Sequence, residues 1–298
     1  MSNPTEELRK ALNLSGAAAV VPEIVSAGVQ EYLEKSSLLY NLVPKKEWHT
    51  AFWKERSRTA LGNTSAFVGD GGTLPNATQS TYAKPAIELK FAYARGEVTG
   101  PTIAFTRDVM DALREEIMAS ADELARKIET VTLNGDSSGN ALEFDGFFKQ
   151  VTNEVAASNA ALSLNLMDQM LDKPEGGAPT HIVMSKAFGR KLWSILQAHQ
   201  SYVTESVDVG GGFRVPTYAD TPIIRMDTGL TSSGGLSTGI LAIDTNHCFY
   251  AVGQGVTYED LAHTKDSRDY MLKTYLALVV QGASRFHSKL TGLQAAGA

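Results

Sequence analysis

The chain has little with which to staple itself, anchor itself or attract anions. Its 298 residues contain one cysteine, Cys248, so no internal disulfide can form. That suits a reducing compartment. No run of about 18 apolar residues occurs, so no membrane span and no membrane partner are expected. Near the N-terminus, Glu6, Glu7, Arg9 and Lys10 precede only the short apolar patch AAAVVPEIV, which lacks the order of a signal peptide. Positive charge is not in excess. The formal net charge is −6, which argues against a general nucleic-acid binder. Asn13, Asn63 and Asn76 begin sequon-like triplets, which matter only in a secreted chain.

Catalytic signatures are missing too. VMSKAFG lacks the flanking glycines of a nucleophile elbow. VGDGG and VGGGF lack the P-loop lysine and the dinucleotide pattern. The histidines at 49, 181, 199, 247, 263 and 287 have no metal-ligand spacing, and there is no cysteine pair. Cys248 follows His247, but neighbours in a strand point to opposite faces, so it reads as a buried structural residue. The sequence therefore predicts no enzyme, no cofactor and no metal.

What is present begins with 106–133, TRDVMDALREEIMASADELARKIETVTL. Met110, Leu113, Ile117, Ala121, Leu124, Ile128 and Val131 recur at steps of three and four, one stripe of a helix. Such a helix runs to roughly 40 Å. Asp108, Asp111, Glu115, Glu116, Asp122, Glu123 and Glu129 are expected outside the stripe, with Thr106 as N-cap. NGDSSGN at 134–140 is a strong stop.

Before it, residues 22–43 predict a helix opened by Pro22, after a loosely ordered start. Residues 45–58 read as strand. Residues 57–81 are polar and glycine-rich; Gly69, Gly71, Gly72 and Pro75 predict no regular element. Residues 86–95 alternate, with Ile87, Leu89, Phe91 and Tyr93 on one face and Glu88, Lys90, Ala92 and Ala94 on the other. Two long strands joined by a projecting loop follow. A lone hairpin cannot bury its own apolar face, so it must lie on the rest of the chain or on another subunit.

After the long helix, 143–151 predicts a short hairpin and 164–171 a helix. THIVMS predicts a strand, followed by a helix capped by Ser185 with Phe188, Leu192 and Leu196 on one face. Residues 198–220 have no period and read as a loop. Strands are expected at 221–227, 239–245, HCFYAVG, GVTYED and DYMLKTYLALVVQGASRF. The last is apolar on both faces, hence central.

IELKFAYARGEVTGPTIAFTRDVMDAL, ETVTLNGDSSGNALEFDGFF, HIVMSKAFGRKLWSIL, YADTPIIRMDTG and GILAIDTNHCFYAVGQGVTYE, in this order, resemble the major capsid protein of tailed bacteriophages, with its α+β HK97-like fold. The resemblance covers nearly the whole chain. It implies an N-terminal arm (1–45), an extended loop (46–100), a peripheral domain with the spine helix (101–154), an axial domain (155–245) and a return to the peripheral domain (246–298).

It further implies a homo-oligomer of pentamers and hexamers, closing an icosahedral head around double-stranded DNA. Assembly would occur in the bacterial cytoplasm, with separate scaffolding or none, no N-terminal cleavage, and portal and decoration proteins as further partners. Trp48, Trp53, Phe91 and Tyr93 are the expected assembly anchors, because buried aromatics dominate interfaces. Lys84 and Lys90 are candidates for a loop lysine that joins a neighbour's asparagine, with Asn246 opposite, although no motif fixes that bond. The acidic balance suits a container, since packed DNA carries its own counterions. Two rivals stand beside this reading. One is an encapsulin-like compartment with enzyme cargo. The other is a soluble α+β enzyme with 57–81 and 198–220 as lids.

Overall fold

The computed structural model describes residues 38–54, 57–60, 67–73, 76, 79–83, 86–106, 112–175, 177–198, 206–208, 214–226, 235–262 and 265–294. The arm helix predicted from Pro22 falls mostly outside them, as do Met110, Asp108, Asp111 and Lys84. The strands in chain order are β1 (Lys45–Glu47), β2 (Phe52–Lys54), β3 (Ser57–Ala60), β4 (Thr81–Ala83), β5 (Ala86–Glu88), β6 (Lys90–Thr99), β7 (Glu154–Ala156), β8 (His181–Ser185), β9 (Ser206–Asp208), β10 (Arg214–Tyr218), β11 (Thr221–Met226), β12 (Ile240–Ile243), β13 (Cys248–Asp260), β14 (Ser267–Val280) and β15 (Ser288–Thr291).

The predicted stripe becomes the helix Ala112–Asn134, with Ile117, Ala121, Leu124, Ile128 and Val131 buried. Ile117, Leu124, Ile128 and Val131 each contribute about 1.5–3 kcal/mol on burial. The stripe lies on a four-stranded sheet in the order β1-β13-β14-β6, against Tyr250, Leu272, Leu276 and Leu278. Strand β14 is central, as its two apolar faces predict. Two buried hydroxyl pairs tie sheet to helix: Tyr250 with Thr132, and Tyr270 with Ser120, each at 2.8 Å. Gly96 sits opposite Tyr270, where a Cβ would lie 2.2 Å from the ring. The helix stops as predicted at Asn134. Gly146 packs on its end so closely that a Cβ would meet Val131 O at 2.6 Å and Leu133 O at 2.7 Å.

Two details of this helix differ from expectation. Thr106 is itself helical, within Gly100–Thr106, so it is not an N-cap. Glu129 is buried, not solvated. Its Oε1 accepts the Leu39 N–H at 3.3 Å and holds the helix Leu38–Leu42 against the long one.

The second sheet has seven strands in the order β7-β15-β12-β8-β11-β10-β9. Ile182, Met184, Ile240, Ala242 and Leu290 pack with the helices Leu164–Asp172 and Lys186–Ala198, through Met167, Met170, Phe188 and Leu192. Val183, Leu241 and Ile243 belong instead to the core around the long helix. Alternation along β8 and β12 thus couples the two layers. Ser185 caps its helix, accepting the Phe188 N–H at 3.3 Å.

Several sequence expectations give way here. Residues 147–150 form a short helix rather than a hairpin, and 198–220 supplies β9 and β10 rather than only a loop. Strand β15 inserts between β7 and β12. The chain therefore re-enters the second sheet within 246–298, and 154–156 already belongs to it.

Candidate functional site

The hairpin between β1 and β6 is built in stages. β2 pairs with β5 and β3 with β4, both antiparallel, so part of the expected loop 57–81 is strand. Within its tip the Gly72 N–H donates to Gly69 O at 2.9 Å, and Gly71 takes φ +75°, a left-handed conformation open to glycine. Phe67 in this tip is fully exposed.

The hairpin root is apolar. Trp48 and Trp53 lie with ring centroids 4.2 Å apart, and Trp53 meets Phe249 edge-on at 4.9 Å. Together with Ile87 they cover Phe249, Ala251 and Val279 on the sheet face turned away from the long helix. Trp48 Nε1 donates to Phe52 O at 3.1 Å, and Lys46 Nζ lies 4.0 Å above the Phe249 ring. Two expected assembly anchors therefore do intramolecular work, closing the second face of the first sheet.

Phe91 and Tyr93 are placed otherwise. The alternation predicted through 86–95 breaks at Leu89. Its N–H donates to Ala51 O at 2.9 Å, where the chain leaves the β2–β5 ladder and joins β14. Past this break Ala92 and Ala94 face the core, and Phe91 and Tyr93 turn outward, 61% and 54% exposed. They rest on the ring of Tyr275, at centroid distances of 4.8 and 6.3 Å. The hydrogen bond with Tyr275 and partial desolvation raise the Tyr93 phenol above its usual range, against the opposing charge of Lys273. Lys90 is ion-paired with Glu88.

Beside these rings lies a cavity of about 340 Å³ between β6, the long helix and the loop that follows it. Leu124, Ile128, Val131, Leu142 and Phe144 line it, and residues Lys90, Phe91, Ala92 and Tyr93 of β6 run along its edge. Leu142 is 81% exposed. Lys127, on the rim, pairs with Glu143 at 2.7 Å.

A second cluster left no signal in the sequence. His181, Asp244, His247 and His287 meet where the two sheets join. His247 Nδ1 lies 2.6 Å from Asp244 Oδ2, and its ring stacks on Phe286 at 3.6 Å. His287 is fully buried, and its Nδ1 accepts the Asp244 N–H at 3.1 Å. Burial works to raise the Asp244 carboxyl, but His247 and the Asn246 N–H hold it below the usual range. Burial lowers both His181 and His287. Asn246, the candidate asparagine, directs its side chain to Asp244 Oδ1 at 3.0 Å. Burial pushes the Cys248 thiol up to about 12, which leaves it unreactive. Among the described residues, no set of three His, Cys, Asp or Glu side chains is placed to hold a metal ion. No described helix is long and apolar enough to cross a membrane.

Residues 54–294 match the family model described as SU10 major capsid protein. Comparison with curated proteins gives no match. Among solved structures, the chain is similar to the holo-SrpI encapsulin complex from Synechococcus elongatus PCC 7942, with 12% identity, a TM-score of 0.68, and coverage of 87% of this chain and 88% of that one. It is also similar to the Cyanophage A-1(L) capsid, with 13% identity, a TM-score of 0.65, and coverage of 86% and 92%. The capsid of an empty GTA particle gives 11% identity, a TM-score of 0.63, and coverage of 86% and 90%. At these identities the likeness concerns the fold, which is HK97-like.

Proposed function

The chain belongs to the SU10 major capsid protein family, and from that premise we propose that it closes an icosahedral phage head around double-stranded DNA, as pentamers and hexamers. Its role is that of a structural subunit of the capsid shell. The observation that carries the reading is the family match itself, which spans 54–294 and so takes in most of the hairpin, the long helix and both sheets. The exposed hairpin supports it physically. Among its described residues Phe52, Phe67, Val68 and Tyr82 are exposed, and an obligate assembly would supply the missing core.

In this reading the four-stranded sheet and long helix form the peripheral domain, and the seven-stranded sheet forms the axial domain at the capsomer centre. The hairpin lies over one neighbour and the arm reaches another. Phe91 and Tyr93 are the anchors that remain free to meet a partner; Trp48 and Trp53 act by rooting the hairpin. Assembly takes place in the host cytoplasm, with scaffolding, portal and decoration proteins as separate partners.

An encapsulin-like compartment shares the fold, but the family match favours the phage head. Deletion of residues 60–80 tests the proposal. The shortened chain should give no stable shells by electron microscopy, whereas shells of normal size would overturn it.

A further inference from the structure

The helix Lys186–Ala198 carries Lys186, Arg190 and Lys191 and no acidic residue, in a chain whose net charge is −6. All three cations are exposed. Arg225 joins them from the sheet. It is in register with Met184, which packs beneath this helix, so its side chain rises on the helix side. Its stem lies against the helix at Gly189, where a Cβ would be 2.8 Å from Arg225 Cδ. Gly189 follows Lys186 by three residues and precedes Trp193 by four, so Arg225 emerges on the flank that carries both. A glycine inside a helix is destabilising relative to alanine. Here it makes room for an exposed cation rather than for a core side chain. Arg190, Lys191 and Arg225 pair with no carboxylate among the described residues.

We propose that this face, with Lys186, Arg190, Lys191 and Arg225, is where the subunit meets the phosphate backbone of duplex DNA. Guanidinium forks and lysine ammonium groups both suit phosphate oxygens. Lys186 and Arg190 stand about 6 Å apart along the helix axis, close to the advance of two nucleotides along one strand, about 7 Å. The contact is local and blind to sequence, and the acidic balance of the rest of the chain keeps DNA from binding elsewhere. The inference rests on the shell reading and deepens it, by naming the surface that faces the packaged molecule.

The test titrates the unassembled full chain into a fluorescein-labelled duplex of about 20 base pairs, by anisotropy, from about 50 to about 200 mM salt. Four phosphate contacts predict a slope of log K against log salt of up to about −3.6. Arg190→Gln and Arg225→Gln should each reduce the slope by about 1 and weaken binding several-fold at the lowest salt. Gly189→Ala keeps every charge but displaces Arg225, so it should act in the same direction. Arg126→Gln, in the Asp122 pair of the long helix, should leave the slope at the parent value. Melting curves confirm that each variant is folded, and Arg190, on the surface, gives the variant least able to disturb the fold.

Parent-like slopes in Arg190→Gln and Arg225→Gln, or no binding by the parent, would overturn the contact and leave the shell reading intact. Particle yield lost in Arg225→Gln with DNA binding unchanged would assign the face to a protein partner and overturn it too. Particles that hold cargo protein and no nucleic acid would remove the phage-head reading itself, and the contact with it.

Discussion

Acidification should loosen the junction of the two sheets through His287. Its Nδ1 accepts the Asp244 N–H at 3.1 Å, and its Nε2 faces His247 O at 3.4 Å. The neutral ring with the proton on Nε2 satisfies both contacts. Protonating Nδ1 sets a donor against a donor and places a charge where water is excluded. The charged groups around it are Asp244, which favours the imidazolium, and His247, which opposes it; burial is the larger effect and lowers the pKa. Thr180 at the His181 ring and Asn153 on the His287 carbonyl add only neutral contacts.

The sign follows. The unfolded chain binds a proton near pH 6.5 that the fold resists, so stability present above that pH is lost as the pH falls below it. From about pH 7.5 to about pH 5.5 the loss is at most on the order of 1 kcal/mol, the limit for a histidine kept wholly neutral in the fold. That corresponds to at most a few °C in Tm, on the order of 2–4 °C. His181 is half-buried and adds less. Asp244 is held below the usual carboxylate range, so it stays charged through this window. Thermal denaturation of the assembled protein at a fixed scan rate, with His287→Asn beside the parent, reads the effect. The variant should melt lower at neutral pH but lose less on acidification. Parallel pH dependences, or a parent more stable at the lower pH, would refute the reasoning.

Three further outcomes follow from the packing. Thr132→Val strands the buried Tyr250 hydroxyl and should cost about 1–3 kcal/mol; adding Tyr250→Phe should recover most of it, and simple additivity in melting would contradict the pairing. Gly146→Ala drives a Cβ into the carbonyls of Val131 and Leu133, backbone atoms that cannot rotate away. It should cost about 1–3 kcal/mol, and parent-like melting would show that the helix end has slack. Ala219 and Asp220 hold φ of 47° and 61° in the two-residue turn between β10 and β11. The pair Ala219→Asn and Asp220→Gly should stabilise by up to about 1 kcal/mol, and a lowered melting temperature would count against it.

Much of the architecture was legible wherever a single period ran unbroken. The stripe from Ile117 to Val131, the double-faced β14, and the strand–helix unit around Ser185 all declare themselves, because each buries against one continuous partner. Legibility failed where partners changed. Alternation through 86–95 looks continuous, yet it spans two ladders, and the phase resets at Leu89; the outward turn of Phe91 and Tyr93 depends on that reset. Strands β3, β9 and β10 lie in glycine-rich stretches and owe their existence to partners that local pattern does not reveal. Glu129 follows the helix period of a solvated acid, yet it caps a backbone amide 90 residues away. The cluster around Asp244 gathers residues from 181 to 287, so no spacing marks it. The four candidate anchors divide for the same reason: aromatic content marked them all, but only the fold places Trp48 and Trp53 at a root and Phe91 and Tyr93 in an exposed patch.

The most direct measurement is negative-stain electron microscopy of the protein purified from expressing cells, with its sedimentation in parallel. Closed shells or capsomer rings are predicted, and nucleic acid inside rather than cargo protein would mark a phage head. A protein that stays monomeric at high concentration, with scaffolding supplied, would contradict the account.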